Sequence, residues 1–160
     1  MNECCLNFID CDISSERGKQ FSIEVLEFMR NQLKIYQEKE GTLFNLEATP
    51  AEGTGFRLAK IDRDMYPKLK ASGTEVPYYT NSTHLPVGIS DDIFDALTHQ
   101  DSLQTLYTGG TVFHGFLGER IDNAVTCKKL VRKISENFHI PYFTLSPTFS
   151  ICPVHGYIPG

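Results

Sequence analysis

The stretch FNLEATPAEGTGFR, residues 44–57, predicts a β-strand that ends in a loop. Apolar side chains occupy alternate positions at its start, as in a half-buried strand: Phe44, Leu46 and Ala48. One proline and two glycines then fall within residues 49–55, and these residue types end a regular strand. Glu47 and Glu52 therefore stand at the two sides of a predicted loop.

Carboxylates at the end of a strand are well placed for chemistry in an α/β protein. The strand gives a rigid support and the loop gives access to a ligand, so Glu47 and Glu52 are candidates for acid–base catalysis. The alternative is that both are solvated surface carboxylates, which is the commoner state of a glutamate beside a proline- and glycine-rich loop. The local pattern does not decide between the two.

Length and composition predict one globular domain with reduced cysteines. A chain of 160 residues with 41% hydrophobic residues is long enough to bury a core. The net charge of -5 provides no positive surface for a nucleic acid, and no apolar run is long enough to span a membrane. The five cysteines are an odd set without regular spacing, and the sequence shows no secretory signal, so we expect free thiols and a cytoplasmic location.

Short apolar segments alternate with amphipathic ones along the chain, which is typical of an α/β fold. The predicted strands are residues 3–9, 44–48, 111–117 and 141–145, with a short strand or extended run at 57–61. The predicted helices are residues 18–38, a segment after a Ser-Asp-Asp cap at 90–92, residues 102–107 and residues 123–138. Ser14 or Ser15 can cap the first helix, and Gly41 ends it.

Three loops carry side chains suited to ligand binding. Residues 76–87 are framed by prolines and predict either an ordered loop that lines a polar pocket or a plain surface Ω-loop. Residues 108–111 and 146–150 carry hydroxyl groups that could hold phosphate, although a tight turn is the simpler explanation of each pattern. The histidines lack partners at metal-ligand spacing, and we expect His114 to be a packed strand residue.

The tail CPVHGY, residues 152–157, has the local spacing of half a zinc knuckle. Cys152 and His155 are separated by two residues, and the glycine that follows allows a tight turn. Structural zinc takes four protein ligands, and no second cysteine pair follows in this chain. Either another segment supplies the remaining ligands or nothing binds here, because short motifs often match by chance.

Seven motifs in this chain occur together in one known family. In chain order they are NECCLNFI, the helix ending in YQE, NLEATPAEGTGFRLAKID, PYYTNSTHLPV, LQTLYTGGTVFHGFLGE, CKKLVRKI and PYFTLSPTFSICPVHGY. They closely resemble the C-terminal part of the anaerobic ribonucleoside-triphosphate reductases, which are glycyl-radical enzymes. The resemblance implies half of a ten-stranded α/β barrel over residues 1–150 and the first half of a zinc-knuckle segment over residues 151–160.

The resemblance also implies a reaction and the residues that serve it. In this family a glycyl radical oxidises a cysteine to a thiyl, which abstracts the 3′ hydrogen of the ribose before water leaves the 2′ carbon. Glu47 would assist proton transfer at the ribose, with Glu52 as the second choice. Further roles are implied for phosphate binding (Ser146, Thr148 and Ser150), for the pocket lining (Asn81 and Ser82) and for zinc (Cys152 and His155).

Partners and missing parts follow from the same resemblance. It implies a ribonucleoside triphosphate substrate, a radical-SAM activating enzyme and a homodimer of the full-length protein. The chain lacks the radical glycine, the thiyl cysteine and the effector domain, so we expect an inactive fragment that tends to self-associate. The alternative is a non-catalytic, zinc-dependent binding or scaffolding module. Convergence of Glu47, the Asn81 loop and residues 146–150 on one pocket would favour the enzyme.

Overall fold

The fold is mixed α/β. The computed structural model describes residues 1–90, 92–118, 121–146, 149–152 and 156–159, and within them it contains five α-helices and four β-strands. The helices are α1 (Asn2–Phe8), α2 (Glu16–Glu40), α3 (Glu52–Met65), α4 (Ile93–Gln104) and α5 (Ala124–Asn137). The strands are β1 (Phe113–Phe116), β2 (Phe143–Ser146), β3 (Phe149–Cys152) and β4 (Gly156–Pro159).

Local capping chemistry sets the ends of α2 as predicted. The Ser15 hydroxyl accepts a hydrogen bond from the Gly18 N–H at 3.1 Å, which satisfies one of the free donors of the first turn. Gly41 adopts a left-handed backbone (φ 66°), and its N–H donates to the Gln37 carbonyl at 3.0 Å. The predicted helix over residues 18–38 is confirmed and extends further at both ends.

The prediction of a strand over residues 3–9 is wrong, because this segment forms α1. A short apolar run fits a helix and a strand about equally, so contacts distant in the sequence decide. The buried Glu3 carboxylate accepts hydrogen bonds from the Ser72 hydroxyl at 2.6 Å and from the Thr80 hydroxyl at 2.8 Å. Burial alone would raise the pKa of Glu3, but these hydrogen bonds outweigh it and hold the pKa below its ordinary value.

The prediction of a strand or extended run at residues 57–61 is also wrong. A helix, α3, replaces both this run and most of the preceding loop, so two glycines lie inside a helix. A Cβ atom at Gly55 would lie 3.0 Å from the Tyr79 carbonyl oxygen, and the Tyr79 N–H donates to the Gly55 carbonyl at 3.3 Å. Gly55 therefore allows the backbone of Tyr79 to approach the helix closely, and it does not end a strand.

Residues 44–48 have no regular secondary structure and do not form the predicted strand. The side chains alternate as expected at the centre, since Leu46 is buried while Asn45 and Glu47 are exposed. The backbone bonds to a loop and not to a strand: the N–H groups of Thr108 and Gly109 both donate to the Leu46 carbonyl, at 3.0 and 2.8 Å. Without a strand partner no regular ladder forms.

The second half of the chain follows the predictions more closely. Asp92 caps α4 by accepting a hydrogen bond from the Phe94 N–H at 2.7 Å, and Asn123 caps α5 in the same way through the Val125 N–H at 2.8 Å. Asp91, the other predicted cap residue, lies outside the described residues. The separate helix predicted for residues 102–107 is wrong, because α4 runs through Gln104 without a break.

Two small sheets are present in the described part of the chain. Strands β1 and β2 pair in parallel, with Phe113 opposite Phe143 and Phe116 opposite Ser146. Strands β3 and β4 form an antiparallel pair. The predicted strands at 111–117 and 141–145 are thus confirmed as shorter segments, whereas the two earlier predicted sheet members do not join them.

Helix α4 packs against both parts of the core. Its Leu103 belongs to a buried cluster with Ile13, Leu26, Leu46 and Tyr107. Its Leu97 belongs to a second cluster with Phe113, Ile134 and Ile140. The segment with Glu47 is therefore fixed to the first cluster through Leu46. Over the described ranges, no helix is both long enough and apolar enough to cross a membrane.

Candidate active site

The Glu47 carboxylate lies directly over two glycines, which we call the glycine floor (Gly109 and Gly110). A Cβ atom at Gly110 would lie 2.8 Å from Glu47 Oε1, and one at Gly109 would lie 3.4 Å from Glu47 Cβ. Any larger residue at position 110 would displace the carboxylate. The backbone fixes the same contact, because the Ala48 N–H donates to the Gly110 carbonyl at 2.8 Å. Glu47 is exposed to solvent, and its carboxylate lies against Gly110.

Asn81 and Ser82 hold the loop that follows Glu47. The Asn81 side-chain oxygen accepts a hydrogen bond from the Ala51 N–H at 3.2 Å, and the Ser82 hydroxyl donates to the Thr49 carbonyl at 3.4 Å. Ser82 itself adopts a left-handed backbone (φ 43°). The structure therefore brings the predicted pocket residues to the Glu47 loop, where they contact its backbone.

The loop over residues 76–87 is ordered and lines a cavity of about 440 Å³. Aromatic rings from three parts of the chain form much of the wall: Phe56, Tyr78, His84, Phe113, His114 and Phe116. Asn81 belongs both to this wall and to the contacts of the Glu47 loop. Of the two alternatives for this loop, the structure supports a pocket lining, although the pocket is more aromatic than polar.

Two histidines face each other at this cavity, and sequence reasoning missed them. The ring centroids of His84 and His114 are 6.1 Å apart. Burial, assisted by the nearby His114, lowers the pKa of His84 to about 4, so its ring is neutral at pH 7. His114 is exposed, which corrects the expectation that it is packed. The two residues are too far apart in the sequence to give a spacing signal.

The remaining predicted site residues lie elsewhere or outside the described ranges. Ser146 ends β2, and its carbonyl accepts a hydrogen bond from the Leu117 N–H at 2.8 Å, so its described hydrogen bond joins it to the β1 end and not to Glu47. Glu52 begins α3, and Ser150 lies in β3. Thr148 lies outside the described residues, and the predicted convergence with residues 146–150 stays a prediction.

A metal site is not complete in the described part of the chain. Within those residues, no three histidine, cysteine, aspartate or glutamate side chains form a group that could hold a metal ion. Cys152 lies in β3 opposite Gly156, and His155 falls outside the described residues. Two donors are half of the four that structural zinc requires, so these residues alone do not fit a zinc ion.

Acidification should lower the stability of the chain between pH 6.5 and about 4 through His84. Above pH 6.5 this histidine is neutral in the folded and unfolded states, whereas below it the unfolded state alone takes up a proton. The free energy of unfolding should therefore fall with pH, by at most about 3 kcal/mol for this group. Urea unfolding at pH 7 and pH 4.5 measures the change.

The variant His84→Gln should reduce this pH dependence, and the exposed-site variant His139→Gln should retain it. Part of the dependence should persist in both variants, because burial also lowers the pKa of His99. Equal slopes for the wild type and His84→Gln would show that His84 is not buried as a neutral ring.

Comparison with known proteins identifies the family. Residues 1–160 match the family described as anaerobic ribonucleoside-triphosphate reductase. The chain is 27% identical over 135 residues to the anaerobic ribonucleoside-triphosphate reductase of Enterobacteria phage T4, which covers 84% of this chain and 22% of the relative. It is 24% identical over 143 residues to the Escherichia coli protein of the same name, covering 89% of this chain and 20% of the relative.

Solved structures show the same fold. An anaerobic ribonucleotide reductase superposes with a TM-score of 0.69 at 23% identity, over 91% of this chain and 22% of that one. The enzyme from Thermotoga maritima, solved with glycerol in the active site, gives a TM-score of 0.67 at 24% identity over 91% of this chain and 23% of that chain. The chain spans about a fifth of the length of these relatives. Over its whole length, the chain belongs to the anaerobic ribonucleoside-triphosphate reductase family.

Proposed function

We propose that this chain forms the substrate side of an anaerobic reductase that converts ribonucleoside triphosphates to 2′-deoxyribonucleoside triphosphates. Family membership over residues 1–160 supports the reaction class. The observation that carries the proposal for this segment is the Glu47 carboxylate, which lies over the glycine floor beside the Asn81 loop. A solvent-accessible carboxylate on a hydrogen-bonded backbone is suited to proton transfer.

The chain would supply part of the second half of a ten-stranded α/β barrel. Two parallel strands form only a small part of a sheet, and parallel sheets are normally covered on both faces. Exposed apolar side chains on α3, such as Leu58, Ile61 and Met65, support burial against further polypeptide. In this arrangement β1 and β2 are neighbouring barrel strands.

Glu47 would exchange a proton with a ribose hydroxyl as water leaves the sugar. Family membership implies a glycyl radical for the whole enzyme, and this group would supply the radical chemistry when present. Glu52 is the second candidate for proton transfer, at the start of α3. The contribution of this chain is to position the substrate and to assist proton transfer at the ribose.

The substrate phosphates would bind at the end of β2. The ends of parallel strands β1 and β2 lie at one edge, and ligands of α/β sheets bind at the carboxyl ends of strands. Ser146 lies at this end, and Thr148 and Ser150 follow it in the sequence. Their hydroxyl groups are suitable hydrogen-bond donors to phosphate oxygens.

Further features of the whole enzyme are proposed from the family alone. They are a structural zinc ion to which Cys152 and His155 contribute two ligands, a radical-SAM activating enzyme, a homodimer and a cytoplasmic location. The non-catalytic zinc-dependent module has no observation in its favour among the described residues.

An anaerobic turnover assay tests the proposed reaction. The reductase polypeptide that contains this segment, activated under anaerobic conditions and supplied with formate or a thiol as electron donor, should form deoxyribonucleoside triphosphates and should lose this activity after exposure to air. The chain of 160 residues alone serves as the control and should form no product. A polypeptide that carries a glycyl radical by electron paramagnetic resonance but makes no deoxyribonucleotide would contradict the proposal.

A further inference from the structure

Helix α4 carries two buried glutamines whose side chains are hydrogen-bonded to each other. Gln100 is 1% exposed and Gln104 is 0% exposed. The Gln104 side-chain nitrogen donates to the Gln100 side-chain oxygen at 2.8 Å, and the Gln100 nitrogen donates to the Thr83 carbonyl at 2.9 Å. Burying a side-chain amide costs free energy unless it forms hydrogen bonds. The two glutamines of α4 therefore depend on these specific contacts.

The hydrogen bonds continue at both ends of this pair and have a single direction. At one end the Thr111 hydroxyl donates to the Gln104 side-chain oxygen. At the other end His99 Nδ1 accepts from the Gln100 nitrogen at 3.1 Å, while His99 Nε2 lies 2.8 Å from the Ile13 carbonyl. Because a carbonyl only accepts, Nε2 carries the proton and Nδ1 is free to accept. We call Thr111, Gln104, Gln100 and His99 the amide network.

The amide network contacts two segments that hold the Glu47 loop. Thr111 directly follows the glycine floor, which bonds to the backbone of Leu46 and Ala48. Thr83, whose carbonyl accepts from Gln100, directly follows the turn of Asn81 and Ser82. Both supports of the Glu47 loop are therefore joined to one rigid helix.

We infer that Thr111 and Gln104 are positioning residues, which hold the glycine floor in place under the Glu47 carboxylate. Thr111 is half-buried, so its hydroxyl would exchange its bond for water if the contact were lost. Gln104 would then keep an unpaired oxygen in the core, and the floor would lose its side-chain bond to α4. A role of Thr111 and Gln104 in turnover rests on the proposed function of Glu47. The position of the Glu47 carboxylate can be measured whether or not that function is correct.

Nuclear magnetic resonance on this chain measures the position directly. Glu47 Cγ would lie 3.5 Å from a Cβ at Gly110, so the Hγ protons of Glu47 and the Hα protons of Gly110 should show a nuclear Overhauser effect. The effect should disappear in Thr111→Val, which has the same shape without the donor, and should remain in Thr111→Ser. The matched control is Thr105→Val, since the Thr105 hydroxyl bonds only within α4 and is exposed.

Two outcomes of this measurement would overturn the inference. One is an unchanged Overhauser effect in Thr111→Val. The other is an equal loss in Thr105→Val, which would show general loosening of the helix end.

Kinetics on the reductase that contains this segment give the second readout. Thr111→Val should lower kcat by roughly 10- to 100-fold, because small displacements of a catalytic group cost that much, and should leave KM within about twofold. Thr111→Ser should restore kcat. In a Glu47→Gln background, Thr111→Val should cause no further loss, whereas an additive loss would overturn the positioning role. Full activity of Glu47→Gln would instead overturn the proposed function of Glu47, and the Overhauser measurement would still decide the geometry.

Discussion

Replacing Glu47 with glutamine should lower the kcat of the reductase that contains this segment by about 10²- to 10⁴-fold, the usual contribution of a general acid or base. Glutamine keeps the size of the side chain and its ability to hydrogen-bond, but it does not transfer a proton. The backbone bonds at Leu46 and Ala48 do not involve the side chain, so the contact with the glycine floor should remain. Substrate KM should change little.

Steady-state kinetics at several pH values check this expectation. The loss of kcat in Glu47→Gln should be present at each pH, because glutamine does not transfer a proton at any of them. Glu40→Gln is the matched control, since Glu40 is an exposed carboxylate at the end of α2 and forms an exposed ion pair with Lys39. A kcat within twofold of wild type in Glu47→Gln would show that Glu47 is a surface carboxylate without a catalytic role.

Replacing Gly18 with alanine should lower the free energy of unfolding by about 3 kcal/mol or more. This is the upper end of the usual cost of adding atoms to a packed core. A Cβ atom at Gly18 would lie 2.0 Å from the Asp12 carbonyl oxygen and 3.0 Å from Ile13 Cα. Both neighbours are backbone atoms, and the turn they form is held by the bond from the Ile13 N–H to Asn2. The turn must move, and α1 and α2 then lose contact.

Urea unfolding followed by circular dichroism measures this loss. Gly53→Ala is the control, because Gly53 also lies in a helix but a Cβ there meets nothing within 4 Å. That variant should be unchanged or gain up to about 1 kcal/mol from the higher helix propensity of alanine. If Gly18→Ala unfolds at the same urea concentration as Gly53→Ala, the close approach of the turn to α2 is wrong.

Local side-chain chemistry made part of the fold predictable. Ser15, Gly41 and Asn123 define helix ends through bonds to residues only a few positions away, so the sequence alone contains the information. The errors arose where distant residues decide. The helical Glu3 accepts hydrogen bonds from Ser72 and Thr80, and Tyr79 packs on the helical Gly55, so both residues make contacts that local sequence does not indicate.

The sequence likewise indicated some of the candidate site residues and missed others. Glu47 was a candidate because it stands next to a proline- and glycine-rich loop, and Asn81 was a candidate because of the family resemblance. No sequence pattern indicated Gly110 as the support of Glu47 or a bond between Thr111 and Gln104, because neither pair has a recognisable spacing. His84 and His114 were missed for the same reason, since only the folded chain brings their rings to one cavity.

Helix α4 has one face in each hydrophobic cluster, with Leu103 on one side and Leu97 on the other. Thermal opening of either cluster must therefore disturb the helix that the other cluster requires. The aromatic cavity and the Glu47 loop consequently share one cooperative unfolding unit, and neither can loosen to admit a molecule without weakening the other.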